Sequence, residues 1–264
     1  MPAYATGLWY RRENDSVKAL VGDALEYKRQ GFKAMKVKVG FGSIAYDVAR
    51  VKGMREALGE DIDIMLDANH SLNVATAIEL GRRLEEYNIG WCEEPTIPED
   101  IEGYVHIRNM LRMPIAGGEC EFTRFGFKNL VSQHAIDIAQ PDVCGSGGFT
   151  ELKKIAAMAN AFGVQVIPHV WNSIIGVVAS LHFVASLPNC PSTANPKPFR
   201  QQPGIEFDRS HNPLRDDFAE GVLQFNDGSL AVPTAPGLGV NIDEKQLEPW
   251  LERGDAENLS VVYR

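Results

Sequence analysis

The feature that most constrains this chain is a rhythm. Short runs rich in Val, Ile, Met and Leu end on a polar residue and are followed by a longer amphipathic stretch, and the unit repeats at near-constant spacing. Lys38, Asp67, Glu93, Glu119, Asp142 and His169 follow one another at intervals of 29, 26, 26, 23 and 27 residues. One interval is the length of one strand, one helix and two loops, the repeat of a parallel sheet built from βα units. Strands are expected at 3–7, 34–39, 62–67, 89–93, 115–119, 136–140, 164–169 and 204–207. Helices are expected at 16–30, 44–58, 74–87, 149–162 and 174–187, among seven in all. Eight strands in 264 residues fit a TIM-like (β/α)7β barrel, an architecture of about 250 residues. A doubly wound dinucleotide fold is disfavoured, because no GxGxxG follows the first strand.

Two stretches depart from the rhythm. Segment 188–203 holds five prolines and reads as a long loop before the last strand. Beyond Asn212 the alternation stops, 233–239 reads as a loop, and a short terminal helix is expected at 244–252. Residues 1–212 are therefore assigned to the barrel and 213–264 to a C-terminal extension that packs against it.

In a barrel the chemistry gathers where strands end, so the last inward side chains matter most. Lys36 and Lys38 share one face of the second strand, since side chains alternate with a period of two. Asp67, Glu93 and Glu119 arrive from three consecutive strands, with Asn69 in the same parity as Asp67. Three converging carboxylates repel one another unless a cation lies among them, and an all-oxygen set suits Mg²⁺. Any one of these acids alone would read as a helix cap or a solvated loop residue. His169 alone would read as a core histidine, but Asp142 stands one strand away as its partner. Glu94, of opposite parity to Glu93, is expected to orient other groups or form a salt bridge. Asp63 and Gln165 sit low on their strands, where structural roles are expected. Cys92 and Cys120 are expected to face the helices as small buried residues, and Gly117-Gly118 to pass a crowded spot.

Composition narrows the partners. A net charge of −9 gives no basic footprint for nucleic acid. No apolar run approaches the 18 or so residues of a membrane span, and the N-terminus lacks the pattern of a secretory signal. Four cysteines without paired spacing point to free thiols and a cytoplasmic setting.

The motifs Lys36-Val37-Lys38, Leu66-Asp67-Ala68-Asn69, Trp91-Cys92-Glu93-Glu94-Pro95, Gly117-Gly118-Glu119, Gln140-Pro141-Asp142 and Pro168-His169, in this order and spacing, resemble the mandelate racemase-like group of the enolase superfamily. The resemblance covers about residues 3–239. It implies Mg²⁺ on Asp67, Glu93 and Glu119, and abstraction of the proton α to a carboxylate to give an enediolate. Lys38 and His169 would serve opposite faces of the substrate carbon, with Asp142 orienting His169 and Lys36 neutralising the substrate carboxylate. Glu206 and Asn69 would bind substrate. Dehydration of an aldonate or aldarate to a 2-keto-3-deoxy acid is the expected outcome, and a polyol chain suits polar residues such as Asn172. The alternatives are racemisation or epimerisation of an α-hydroxy acid, and an inactive or merely ligand-binding barrel. A Zn²⁺ hydrolase would need His ligands from several strands, and only His169 is so placed. The family's N-terminal capping domain is expected to be absent, as this chain begins at the first barrel strand. That would leave the tail little to pack on, and the apolar surface so uncovered favours a homo-oligomer.

Overall fold

The computed structural model describes residues 1–218, 220–242 and Lys245. Eight strands alternate with helices: β1 (Ala3–Leu8), α1 (Val17–Arg29), β2 (Ala34–Lys38), α2 (Ile44–Leu58), β3 (Asp63–Asp67), α3 (Val74–Leu84), β4 (Ile89–Glu93), α4 (Ile101–Met110), β5 (Ile115–Gly117), α5 (Thr123–Ser132), β6 (Ile138–Ala139), α6 (Gly148–Ala161), β7 (Gln165–Val166), α7 (Ile174–Ala185) and β8 (Ile205–Asp208). All pair in parallel, in the order β7-β6-β5-β4-β3-β2-β1-β8. This is the expected barrel, curled so that β7 and β8 flank the closing seam. Side chains span that seam: Gln165 Nε2 donates to the Gln202 carbonyl at 3.2 Å and Val170 N to Glu206 Oε2 at 2.9 Å.

Local chemistry sets the helix boundaries. Ser16, Ser43, Asn73 and Asp100 each accept a hydrogen bond from a backbone N–H three residues on, which satisfies a donor that the first helical turn leaves orphaned. Gly59, at φ +78°, closes α2, where a residue with a Cβ would be strained.

Strand alternation builds two apolar layers. The inner one is Tyr4, Ala34, Met65, Trp91, Ala116, Ile138, Ile167 and Phe199; the outer one includes Val37, Leu66, Cys92 and Ile115 and meets the helices. Phe199 comes from the proline-rich loop. It meets Tyr4 edge-on at 5.7 Å, as Trp91 does at 5.3 Å, and neighbouring Arg200 donates to the Gly90 carbonyl and to Asp63 at the strand starts. The loop is thus the floor of the barrel, and Asp63 and Gln165 are structural as expected.

The tail differs from its expectation. It contains a one-turn helix, α8 (Pro213–Asp216), and a hairpin of β9 (Phe225–Asn226) and β10 (Ser229–Leu230). The hairpin has a partner in the start of β1: Ala3 N donates to the Gly228 carbonyl at 2.8 Å, and Phe225 stacks on Phe32 at 4.2 Å. Within the described residues the hairpin therefore packs on the barrel bottom, while Phe218, Val222, Leu238 and Ile242 pack with Ile174 and Val178 of α7. The helix expected at 244–252 lies outside the described residues apart from Lys245.

Candidate active site

The parallel register places the polar residues in one plane. Lys38 pairs with Asp67, and Asp67 with Glu93, so three adjacent strands present charged groups side by side at the mouth. Lys36 Nζ, one pleat deeper, donates to Glu93 Oε1 and lies 3.3 Å from Asp67 Oδ2 and 3.0 Å from Glu206 Oε1. Lys38 Nζ donates to Asp67 Oδ2 at 2.5 Å and to Asn69 Oδ1, with the Trp9 ring 4.8 Å away. Across the mouth, His169 Nδ1 is 2.8 Å from Asp142 Oδ2 and its Nε2 is 3.6 Å from Glu119 Oε2. Asp142 also accepts from Cys144 N and Asn172 Nδ2. All nine residues expected in the site are therefore present at one end of the barrel.

The electrostatics are those of an excess of negative charge in a dry place. Asp67, Glu93 and Glu206 are each at most 3% exposed. Burial raises the cost of ionising Asp67, but Lys36, Lys38 and the Asn69 N–H hold it below the usual carboxylate range. Asp67 therefore ionises first. Glu93, its neighbour, is pushed up to about 8 by burial, with Asp67, Glu206 and Glu119 adding to the shift against Lys36. Glu119 is likewise raised, chiefly by burial. Two lysines do not balance four carboxylates, and like charges so close cannot all ionise unaided. That charge deficit and the hard oxygen donors make Asp67, Glu93 and Glu119 a chemical fit for Mg²⁺. Burial opposes charge on His169 as well, yet Asp142, Glu119 and Glu206 push it up to about 10.

Several partners were not singled out as site residues from the sequence. Gln140 Nε2 donates to Glu93 Oε2 at 2.6 Å and Trp91 Nε1 to the same oxygen at 3.1 Å. Both follow from parity, since Gln140 shares the inward face with Ile138 and Trp91 with Glu93. Glu94 behaves as expected, pairing with His70 at 3.0 Å and accepting from Asn69. Cys92 is buried under the helices, but Cys120 is not: it is exposed, with Sγ 3.5 Å from His70 Nε2. The parity argument fails there because β5 ends at Gly117 and Gly118 turns the chain at φ +121°, so alternation no longer decides where Cys120 points. His70, itself at φ +60°, had no signal in strand alternation.

Fold and site together define a class: a parallel barrel whose mouth sets an acid cluster and two lysines against a histidine–aspartate pair. The enolase C-terminal domain-like family matches residues 19–246. The chain belongs to the enolase superfamily, in its mandelate racemase-like group. Among its relatives, D-galactarolactone cycloisomerase of Agrobacterium fabrum is 40% identical over 245 residues, covering 93% of this chain and 64% of the relative. Arabinonate dehydratase of Saccharolobus solfataricus is 36% identical over 248 residues, covering 94% and 63%. Among solved structures, the 3,6-anhydro-D-galactonate cycloisomerase of Zobellia galactanivorans superimposes with a TM-score of 0.84 at 42% identity, covering 95% of this chain and 66% of that one. The chain spans slightly under two thirds of the two curated relatives. Among the described residues no helix is long and apolar enough to cross a membrane.

Proposed function

We propose that this chain carries the machinery for abstracting the proton α to the carboxylate of a sugar acid, and that the outcome is dehydration to a 2-keto-3-deoxy acid. The observation that carries the reading is the opposition of Lys38 on β2 to His169 beyond β7, with the acid cluster between them. Asp67, Glu93 and Glu119 are assigned to Mg²⁺, which when bound supplies Lewis-acid stabilisation of the dianionic enediolate.

The chain's own residues do the rest. Lys36 neutralises the substrate carboxylate, and Glu206 and Asn69 hydrogen-bond the substrate. Lys38, acting as its free amine, takes the α-proton on one face. His169 has its Nδ1 engaged by Asp142 at 2.8 Å, so Nε2 is the atom presented to substrate, and its raised affinity for a proton suits it to donate. It protonates the departing 3-hydroxyl, which leaves as water, and the enol so formed tautomerises to the ketone. Relatives named as dehydratases of arabinonate, D-galactonate and L-talarate or galactarate support this outcome.

Isomerisation is the second reading. The 40% and 42% identities to two cycloisomerases favour it, and it includes the racemase or epimerase alternative, in which His169 returns the proton to carbon. Incubation with a panel of aldonates and aldarates in Mg²⁺ separates the outcomes. A 2-keto-3-deoxy product supports the dehydratase; α-proton exchange with product isomers and no water loss overturns it in favour of an isomerase. An inactive barrel would show neither.

A further inference from the structure

A second group of ligating atoms stands beside the mouth, just beyond β3, β4 and β5. His70 Nε2 lies 3.0 Å from Glu94 Oε2 and 3.5 Å from Cys120 Sγ, and with one oxygen of Glu119 the four atoms fall within 4.8 Å of one another. In a tetrahedral zinc site, metal–ligand bonds of about 2.0–2.3 Å separate the ligand atoms by roughly 3.3–3.8 Å. The contacts at His70 already match that spacing to within about 0.3 Å, and the widest separation needs to contract by about 1 Å, within the reach of side-chain rotation.

Two further features favour a metal. The Nδ1 of His70 faces the Thr96 carbonyl at 3.4 Å, the arrangement in which a ligating histidine has its other nitrogen held and its free nitrogen aimed. The donor set also differs in kind from the one next to it. Imidazole and thiolate select a borderline-soft ion, whereas Asp67 and Glu93 offer only hard oxygens. Glu94 is buried while Cys120 is exposed, so the group is anchored on one side and open to entry on the other.

We propose that His70, Glu94, Glu119 and Cys120 form a second divalent-cation site, selective for a borderline-soft ion such as Zn²⁺ or Co²⁺ over Mg²⁺. Binding displaces the Cys120 thiol proton, together with any proton that His70 Nε2 shares with Glu94, and releases it to solvent. Glu119 is common to this site and to the set assigned to Mg²⁺, so occupancy draws Glu119 away and inhibits turnover. The site itself does not depend on the α-proton reading; only the inhibition does.

Titration of the protein with Co²⁺ in excess Mg²⁺ tests it. The expected result is one thiolate-to-cobalt charge-transfer band in the near ultraviolet, saturating at one equivalent. Cys120→Ser abolishes the band, and His70→Asn weakens Co²⁺ binding at least tenfold. Cys144→Ser, which removes the other exposed thiol, keeps it. Asp67→Asn also keeps it, even where that variant loses every trace of α-proton chemistry, so failure of the proposed function does not mimic failure of this site. No band in the wild-type protein, or one that survives Cys120→Ser, overturns the proposal. Circular dichroism establishes that each variant is folded.

Discussion

His169 and Lys38, to which the proposal gives the two proton transfers, each have a fixed neighbour, Asp142 and Asp67 respectively. Removing either to Ala is expected to lower turnover by about 10²–10⁴, the usual range for a positioned acid or base, as measured by steady-state kinetics on whichever sugar acid is accepted. The His169–Asp142 pair also has a pH signature. His169 is held above its ordinary 6.5, up to about 10, so its contribution to stability is complete below about 6.5 and is lost as pH rises through about 10. Asp142 is held below its ordinary 3.8, so its contribution is complete above that value and is lost as pH falls. Asp142→Asn, compared with wild type by thermal melts without Mg²⁺, should therefore cost about 1–3 kcal/mol around pH 5–6, with the gap narrowing toward pH 10 and toward strong acid. Gln140 is a third test. Its Nε2 steadies Glu93, so Gln140→Leu is expected to weaken Mg²⁺ about 10–100-fold, the cost of losing a group that orients a ligand, as read by isothermal titration. At this scale Lys36, Lys38, Asp67 and Glu93 are legible because period-two alternation governs them, whereas Glu119, Asp142 and His169 lie just past their strands and are legible from the regular interval between strand ends. Gln140 faces inward by the same parity, but its contact with Glu93, 47 residues away, leaves no local trace in the sequence. Cys120 and His70 escape the alternation, because each follows a residue with a positive backbone angle, Gly118 before Cys120 and Asn69 before His70.

Elements were legible where their pattern was long. The helix at Ile44–Leu58 matches its expected bounds, and β2 and β4 fall within one residue of theirs. The strands β5, β6 and β7 pair over only two or three residues, because the chain turns early to bring Glu119, Asp142 and His169 over the mouth. What sequence periodicity could not show was how elements are tied together. Arg55 of α2 is buried and donates to four carbonyls, those of Gly59, Ile62, Tyr87 and Asn88, at 2.6–3.1 Å. It fastens the ends of α2 and α3 to the starts of β3 and β4. Arg55→Leu leaves those carbonyls unpaired and is expected to destabilise the barrel by about 3 kcal/mol or more, since each orphaned buried group costs about 1–3 kcal/mol; urea unfolding measures it. The turn at Gly118 is equally exacting. A Cβ there would lie 2.5 Å from the Phe127 ring at a backbone angle that side chains avoid, which bears out the crowding expected of Gly117-Gly118.

At the scale of the whole chain, the described residues form a barrel with a closed floor and an apolar rim. Arg200, Phe199 and the β9–β10 hairpin seal the bottom, which the sequence showed only as prolines and an end to the rhythm, since loop packing leaves no periodic trace. At the other end, Phe41, Ile97, Phe122 and Phe125 stand at 51–70% exposure, all in loops or helix starts that follow strands and so surround the mouth. Apolar side chains gathered at one face mark an interaction surface. Self-association through this rim is the expected outcome, checked by sedimentation velocity: Phe122→Ser with Phe125→Ser should shift the chain toward monomer, and an unchanged distribution would place the contact elsewhere. The central claim is narrower and concerns the first chemical step. Solvent deuterium exchange at the α-carbon of a sugar-acid panel, followed by NMR, reports that step whichever product results. Exchange that needs Mg²⁺, occurs with at least one aldonate or aldarate, and vanishes in Lys38→Ala together with His169→Ala is the predicted result; no exchange with any member of the panel in Mg²⁺, or exchange that persists without those two side chains, would contradict it.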